Sequence, residues 1–361
     1  MKRNNLFFQG IVLTVFVFTC LINTARADDQ KVVLKLASLA QKGVSAMAYL
    51  DKNFFPEITK ATDGVVVFDI YWGGVMGDEV DYIDKMRTGQ LQGGIVTASG
   101  GIAKAVSPDL SVLGLPFLFN AWAWDEADYV TGKIKPHLLK EAEKRGFKIL
   151  AISDVDFDQI YSTKNNIETI EDIKGSKILT WFGPLENKML KSLGVSPIPV
   201  NVPEVVSSIK TGICNMAISP SMWWVGAQLY TDTKYVNPIP IRYVPAVIVI
   251  NLDAWNKIPE KHQKPMATLC AKFEKEFKNV IRKCNDKSYR AMIKYGIKEV
   301  KVTPAELARF KKATRPVWDE LAGDVYSKEI LDEVIGLLKD YRKNKDNVAL
   351  NKNISKTKID S

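Results

Sequence analysis

The chain has 361 residues, 46% of them hydrophobic and 25% charged, with a formal net charge of +9. That balance excludes a disordered or fibrous protein and leaves apolar residues enough for a sizeable core. Lysines alternate with acids, as in Glu141-Ala142-Glu143-Lys144-Arg145 and Lys272-Phe273-Glu274-Lys275-Glu276. Such mixed faces are solvated helix surfaces, and they exclude a nucleic-acid-binding stripe.

Lys2 and Arg3 precede an apolar run from Leu6 to Ile22, and Ala25-Arg26-Ala27 offers a small-x-small cleavage point before Asp28-Asp29-Gln30. This order predicts a secretory signal peptide over residues 1–27 and a periplasmic mature protein. The run is shorter than the roughly 20 apolar residues that span a bilayer, against the alternative of an uncleaved anchor. A lipid anchor at Cys20 is the other alternative, though Phe18-Thr19 suits it poorly. Beyond the leader stand Cys214, Cys270 and Cys284, an odd number that leaves at least one thiol free. Cys270 and Cys284 would sit roughly 21 Å apart on one helix, beyond the about 7 Å reach of a disulfide. They read as small buried apolar residues. With two histidines, His137 and His262, and no CxxC, a zinc site is not expected, nor is any cofactor.

In chain order, Lys31 to Ser38 reads as a strand, Val44 to Thr62 as a helix stopped by Asp63-Gly64, and Val65 to Tyr71 as a second strand. Asp78 to Thr88 is a helix ended by Gly89, and Gly94 to Ala98 a third strand. Ala123 to Arg145 is helical, and the strand Phe147 to Ser153 leads toward a second lobe. There the reading gives a strand from Lys177 to Trp181, helices Pro184 to Leu193 and Pro203 to Lys210, and a strand from Cys214 to Ile218. A long strand from Ile241 to Asn251 returns. A long helix runs from Pro259 to Tyr295, and Thr303-Pro304-Ala305-Glu306 caps another. The alternation is that of an α/β protein. Expected boundaries are lobe 1 over residues 28–152 with part of 238–342, lobe 2 over 153–237, and a disordered lysine- and asparagine-rich tail over 343–361.

Several of these stretches carry a resemblance. Asp172-Ile-Lys-Gly-Ser-Lys-Ile-Leu-Thr-Trp181, Gly77-Asp-Glu-Val-Asp-Tyr-Ile-Asp-Lys-Met-Arg-Thr-Gly89, Leu113-Gly-Leu-Pro-Phe-Leu-Phe119 and Asn251-Leu-Asp-Ala-Trp-Asn-Lys-Ile-Pro259 resemble the solute-binding proteins of TRAP (tripartite ATP-independent periplasmic) transporters. The resemblance covers most of residues 31–320. It implies a two-lobe periplasmic binding protein fold with crossing strands, a long lobe-spanning helix, hinge closure around a small molecule, and delivery to TRAP membrane permease subunits by a monomeric receptor. In that family the strand after the turn holds an arginine that grips the ligand's carboxylate. Leu179 stands at that position here, and Ser219 where the family carries an asparagine that donates to the ligand. Leucine offers no donor in place of the guanidinium fork.

The expected ligand site therefore centres on Leu179 and Ser219, with Trp181, Phe182, Met222 and Trp223 as apolar walls. Trp72 and Ser99 would face them from lobe 1, near the strand ends where ligands sit in open α/β sheets. Arg242, followed by Tyr243, is the one arginine able to bring a charge from another direction. The ligand expected is neutral or apolar. An organic acid held by Arg242 and a lipid or terpenoid handed on by a partner protein are the alternatives. Asp154, Asp156 and Asp158 read as a polar rim at a strand end, calcium being their alternative use. An enzyme on the same fold is disfavoured, since the chain shows no nucleophile elbow, metal-ligand spacing or His-centred triad.

Overall fold

The structure, a computed structural model, describes residues 30–98, 100–180 and 183–357, with side chains as far as Asn347. The leader expected over residues 1–27 lies outside the described residues, among which no helix is long and apolar enough to cross a membrane. The described residues form nine strands: β1 (Val32–Ser38), β2 (Val66–Tyr71), β3 (Gly93–Thr97), β4 (Phe147–Ser162), β5 (Lys177–Thr180), β6 (Ser196–Pro199), β7 (Met216–Ser219), β8 (Tyr235–Asn251) and β9 (Lys298–Glu299). Their order is β2-β1-β3-β8-β4-β7-β5-β6, with β9 beside β8.

Two of these strands are far longer than the rest, and they decide the architecture. β4 and β8 pair antiparallel from Phe147↔Asn251 to Ser162↔Tyr235. At one end β8 pairs with β3, which leads on to β1 and β2. At the other end β4 pairs with β7, which leads on to β5 and β6. Each end is the sheet of one lobe, and the crossing pair joins the two into one sheet. The sequence reading ends β4 at Ser153 and begins β8 at Ile241; the structure carries β4 nine residues further and starts β8 six earlier. Pro238 and Pro240 obscured the start of β8. Proline has no N–H for a ladder, and the register jumps there from Asn237 to Arg242 on β8 while β4 advances only from Ile160 to Asp158. Further irregularities at Ile149/Ala151 and Asp154/Asp156 bend β4 at the crossing.

The long helix, Glu260–Tyr295, buries Met266, Cys270, Phe273, Phe277, Ile281, Asn285 and Met292, a stripe at helical spacing. Met266 to Ile281 pack into the first-lobe core with Leu34, Phe54 and Ile58, whereas Met292 joins Leu179, Trp224 and Ile297 in the second lobe. The helix thus belongs to both lobes, as the resemblance implies. Its Asn285 accepts from Met222 N (3.0 Å) and donates to Val155 O (2.7 Å), fixing the bend of β4 against the helix Ser221–Gly226.

Two other segments differ from the sequence reading. The first helix is interrupted by a π turn at Leu50–Phe54, just ahead of Phe55–Ala61, where Pro56 supplies no N–H to the preceding turn. The tail expected to be disordered from 343 onward is instead helical as far as Thr357, as part of Lys328–Thr357. Lys345 there bonds Asp125 on the helix Trp124–Lys144 at 2.6 Å. Among the described residues Cys214, Cys270 and Cys284 form no disulfide, and Cys214 and Cys270 are buried.

The approach of β3 to β8 leaves no room for a side chain at Gly93, where a Cβ would lie 2.1 Å from Val249 O. Gly93→Ala is expected to destabilise the protein by about 1–3 kcal/mol through overpacking. Gly132→Ala, on a helix with nothing within 4 Å of the added carbon, is expected to stabilise it by about 0.4–1 kcal/mol. Chemical denaturation of both variants checks the pair; a Gly93 variant as stable as the parent would contradict the close approach.

Candidate functional site

Where the crossing strands bend, a cavity of about 160 Å³ lies between the lobes. Its floor is Asp154, Val155 and Asp158 of β4 with Arg242, Val244 and Ala246 of β8. The β8 residues alternate, as side chains on one face of a strand must. The first lobe contributes Ser38, Leu39, Ala40, Met47, Asp78, Glu79, Ile95, Val96 and Thr97; the second contributes Val202, Pro220, Met222 and Trp223. Phe277 and Ile281 of the long helix complete the wall. A second space of about 410 Å³ adjoins it, lined among the described residues by no Asp, Glu, Lys or Arg. Leu39, Ala40, Met47, Val202, Met222 and Trp223 belong to both walls.

The lobes touch at the rim. Asp78 caps the helix Glu79–Arg87, its Oδ1 accepting from Glu79 N at 2.6 Å, while its Oδ2 accepts from Val202 N of the second lobe at 3.0 Å. Gly183 comes so close to the first lobe that a Cβ there would lie 3.2 Å from Gly100 Cα. Among the described residues of the cavity wall, Arg242 is the one lysine or arginine. Its Nε donates to Asp158 Oδ2 at 2.7 Å, and a terminal nitrogen lies 2.9 Å from Glu186 Oε2. All three side chains are at most 4% exposed. One guanidinium therefore answers two carboxylates. Burial opposes the Arg242 charge, but Glu186 and Asp158 outweigh it and hold the pKa above its ordinary value. Burial pushes the Asp158 carboxyl up to about 6 although Arg242 pulls it down.

The sequence reading placed Asp154, Asp156 and Asp158 on a polar rim, and the structure corrects this. All three are buried, because β4 does not end there and β8 covers it. Asp154 accepts from Tyr243 Oη and, at 2.6 Å, from Arg282 Nε, and Arg282 in turn forks onto Asp128. Burial holds the Asp156 carboxyl well above the carboxylate range, helped by Asp158 and Asp154, while the Phe157 and Ser221 amides pull it back. Three buried side-chain atoms on this stretch have no hydrogen-bond partner: Ser153 Oγ, Asp156 Oδ1 and Asp158 Oδ1. On the opposite wall Glu79 accepts from Thr97 N (2.8 Å) and Thr97 Oγ1 (2.7 Å). Desolvation nonetheless pushes it up to about 8. Away from the cavity, Asp109, His137 and Glu141 stand close enough together to hold a metal. Ser327, His137 and Ser107 already occupy the carboxylates of that group.

Of the residues expected at the site, Met222, Trp223 and Arg242 line the cavity. Trp72 packs into the first-lobe core, and Leu179 is wholly buried beside Trp224 and Val205. Ser219 is buried with its Oγ turned toward Pro220 O at 3.2 Å, and Tyr243 faces the opposite side of β8 from Arg242. Ser99, Trp181 and Phe182 lie outside the described residues. Sequence reading missed Asp78, Glu79, Thr97 and Asp158. The capped helix that starts after the second strand was a usable signal for Glu79, since ligands sit at the carboxyl ends of such strands. Asp158 shows in the sequence only as one of three alternating aspartates at an apparent strand end.

Two α/β lobes, a crossing strand pair and an interlobe cavity define a two-lobe solute-binding receptor. The family description "bacterial extracellular solute-binding protein, family 7" matches residues 37–324, and the chain belongs to that family, the solute-binding proteins of TRAP transporters. A solute-binding protein of Chromohalobacter salexigens is 22% identical over 269 residues, covering 74% of this chain and 79% of the relative. Among solved structures, the sugar acid binding protein of Advenella mimigardefordensis in complex with galactonate superposes with a TM-score of 0.80 at 18% identity. That match covers 87% of this chain and 99% of the other. A TRAP periplasmic solute-binding protein of Haemophilus influenzae with bound L-gulonate gives 0.78 at 21% identity, covering 85% of this chain and 100% of the other.

The Glu79 pKa of about 8 exceeds its ordinary value of 4.5, so the folded state holds this proton more tightly than the unfolded chain. The associated stability is full below about pH 4.5 and is lost as pH rises through about 8. Glu79→Gln cannot ionise. Its melting temperature is expected to match the parent near pH 4 and to exceed it progressively toward pH 9. A gap that stayed constant across that range would show that Glu79 ionises as readily as an exposed glutamate.

Proposed function

We propose that this chain is the extracytoplasmic receptor of a TRAP-type transport system for a small solute that carries no carboxylate and is uncharged or largely apolar. Closure of the lobes would bury the solute and present it to membrane permease subunits. The family membership supports the receptor role. The observation that carries the choice of solute is the charge of the cavity wall. Its cation, Arg242, is already bonded to Asp158 and Glu186, Asp154 is answered by Arg282, and Asp78 adds a further acid, so the wall holds no uncommitted cation among its described residues. An incoming carboxylate would lose its hydration and face like charges in a low-dielectric space. Leu179, placed by resemblance where the family's arginine would stand, is covered by core side chains and supplies no charge. Met47, Met222, Trp223, Phe277 and Ile281 offer apolar surface instead, worth about 25 cal/mol per Å² buried.

A second reading, an organic acid held by Arg242, is favoured by what similar structures hold: galactonate, L-gulonate and, in a protein from Desulfovibrio salexigens, orotic acid. It requires Arg242 to exchange one of its two carboxylate partners for that of the ligand.

Titration calorimetry separates the readings. The first expects heats from uncharged aromatic or aliphatic compounds, weak dependence on salt, and none from galactonate, gulonate or orotate. Tight, salt-sensitive binding of any of these acids would overturn it in favour of the second. Small-angle scattering is expected to show a smaller radius at saturation with whichever compound binds. Arg242→Leu strands two buried carboxylates and is expected to cost about 3–5 kcal/mol of stability, read by denaturant unfolding.

A further inference from the structure

The sheet of the second lobe has two ends. Beyond the carboxyl end of β7, Pro220 lies on the wall of the interlobe cavity. At the opposite end a separate hollow of about 360 Å³ lies where β5 and β7 begin and β4 finishes. We propose that this hollow is a second ligand site, for a phosphate group carrying more than one negative charge, either free or on a lipid headgroup. The proposal stands apart from the receptor reading and from what the interlobe cavity takes.

Lys164, Lys174 and Lys177 line the hollow, against one acid, Asp172. All three lysines are exposed, and none makes a hydrogen bond or ion pair among the described residues. Asp172 is committed to backbone amides: its Oδ2 accepts from Glu168 N at 3.0 Å and from Thr169 N at 2.8 Å, closing the cap of the helix Ile170–Ile173. Three like charges around one hollow repel, and an anion seated among them removes that cost. A carboxylate brings one charge. A phosphate brings more, with three acceptor oxygens, and lysine meets it as a point charge from any direction.

The rest of the lining suits the same ligand. Gly175 and Gly212 border the hollow in left-handed turns, with φ of +75° and +76°. A Cβ at Gly212 would lie 3.8 Å from Lys164 Nζ, so the bare backbone there leaves space beside the ammonium. Asn165, Ser176 and Asn215 also line the hollow, and their side chains make no hydrogen bond among the described residues. Their amide and hydroxyl groups are donors for phosphate oxygens that the lysines leave unanswered.

The test is calorimetry on the full mature chain with pyrophosphate, inorganic phosphate and acetate, beside sedimentation with phosphatidylcholine vesicles with and without phosphatidic acid. Pyrophosphate is expected to bind more tightly than phosphate, acetate not at all up to about 10 mM, and affinity should fall as salt rises. The double variant Lys164→Gln with Lys177→Gln is expected to weaken pyrophosphate about tenfold. Its melting temperature should stay parental, since both side chains are exposed. Lys283→Gln with Lys287→Gln removes the same charge from exposed positions on the long helix and is expected to bind like the parent. Vesicle binding that needs phosphatidic acid and is lost in the hollow variant supports the proposal with a lipid headgroup as the source. Pyrophosphate binding without vesicle binding supports it with a free phosphate. Binding in neither arm, a hollow variant with parental affinity, an equal loss in the long-helix pair, or acetate matching phosphate would overturn it. Each of these results leaves the solute of the interlobe cavity to its own titrations.

Discussion

The structure depends on the pairing of β4 with β8. These are the strands that pass through both lobes, so the strands of one lobe join those of the other through them. An unbroken ladder of this length would be a stiff ribbon. This one is interrupted where Pro238 and Pro240 remove donors and where β4 shifts register at Asp154/Asp156. The interruptions place the bend beneath the interlobe cavity, where hinge motion of two rigid lobes would be absorbed. Asn285 and Arg282, both on the long helix, tie that bend to the second lobe and to the helix Trp124–Lys144 respectively.

Building the crossing from β4 residues 154, 156 and 158 buries three aspartates, each at most 1% exposed. Buried charges persist only with partners, and the fold supplies them unequally. Asp154 is answered by Arg282 and Tyr243, Asp158 by half of Arg242, and Asp156 by backbone amides. The residual imbalance is a chemical property of the cavity. It follows from the same bend that makes the cavity, so architecture and selectivity share one origin.

Much of the fold was legible locally. Turn residues such as Gly64, Gly89, Gly146 and Gly296 marked element ends, and Thr303 with Pro304 marked a helix start, because left-handed backbone and capping are properties of single residues. Longer reach was not legible. The prolines in Asn237-Pro238-Ile239-Pro240 read as a break between elements, whereas tertiary pairing on both sides carries the strand through them. The lysine-rich end from residue 343 read as unstructured from composition, yet Lys345 finds Asp125 on another helix.

The sequence by itself determined an α/β alternation, the positions of its turns, the stripe of the long helix, and a resemblance strong enough to name the family. It also placed Met222, Trp223 and Arg242 among the candidate residues. Only the tertiary structure decided which side chains face the cavity. A strand shows alternate residues to opposite faces, so one extra residue at a bulge reverses every assignment beyond it. That is why Arg242 reached the cavity and Tyr243 did not, and why Asp158, an apparent rim residue, became part of its floor. Charge was likewise a tertiary outcome: the guanidinium of Arg242 is a free cation on paper and is committed to Asp158 and Glu186 once residues distant in sequence are folded against it.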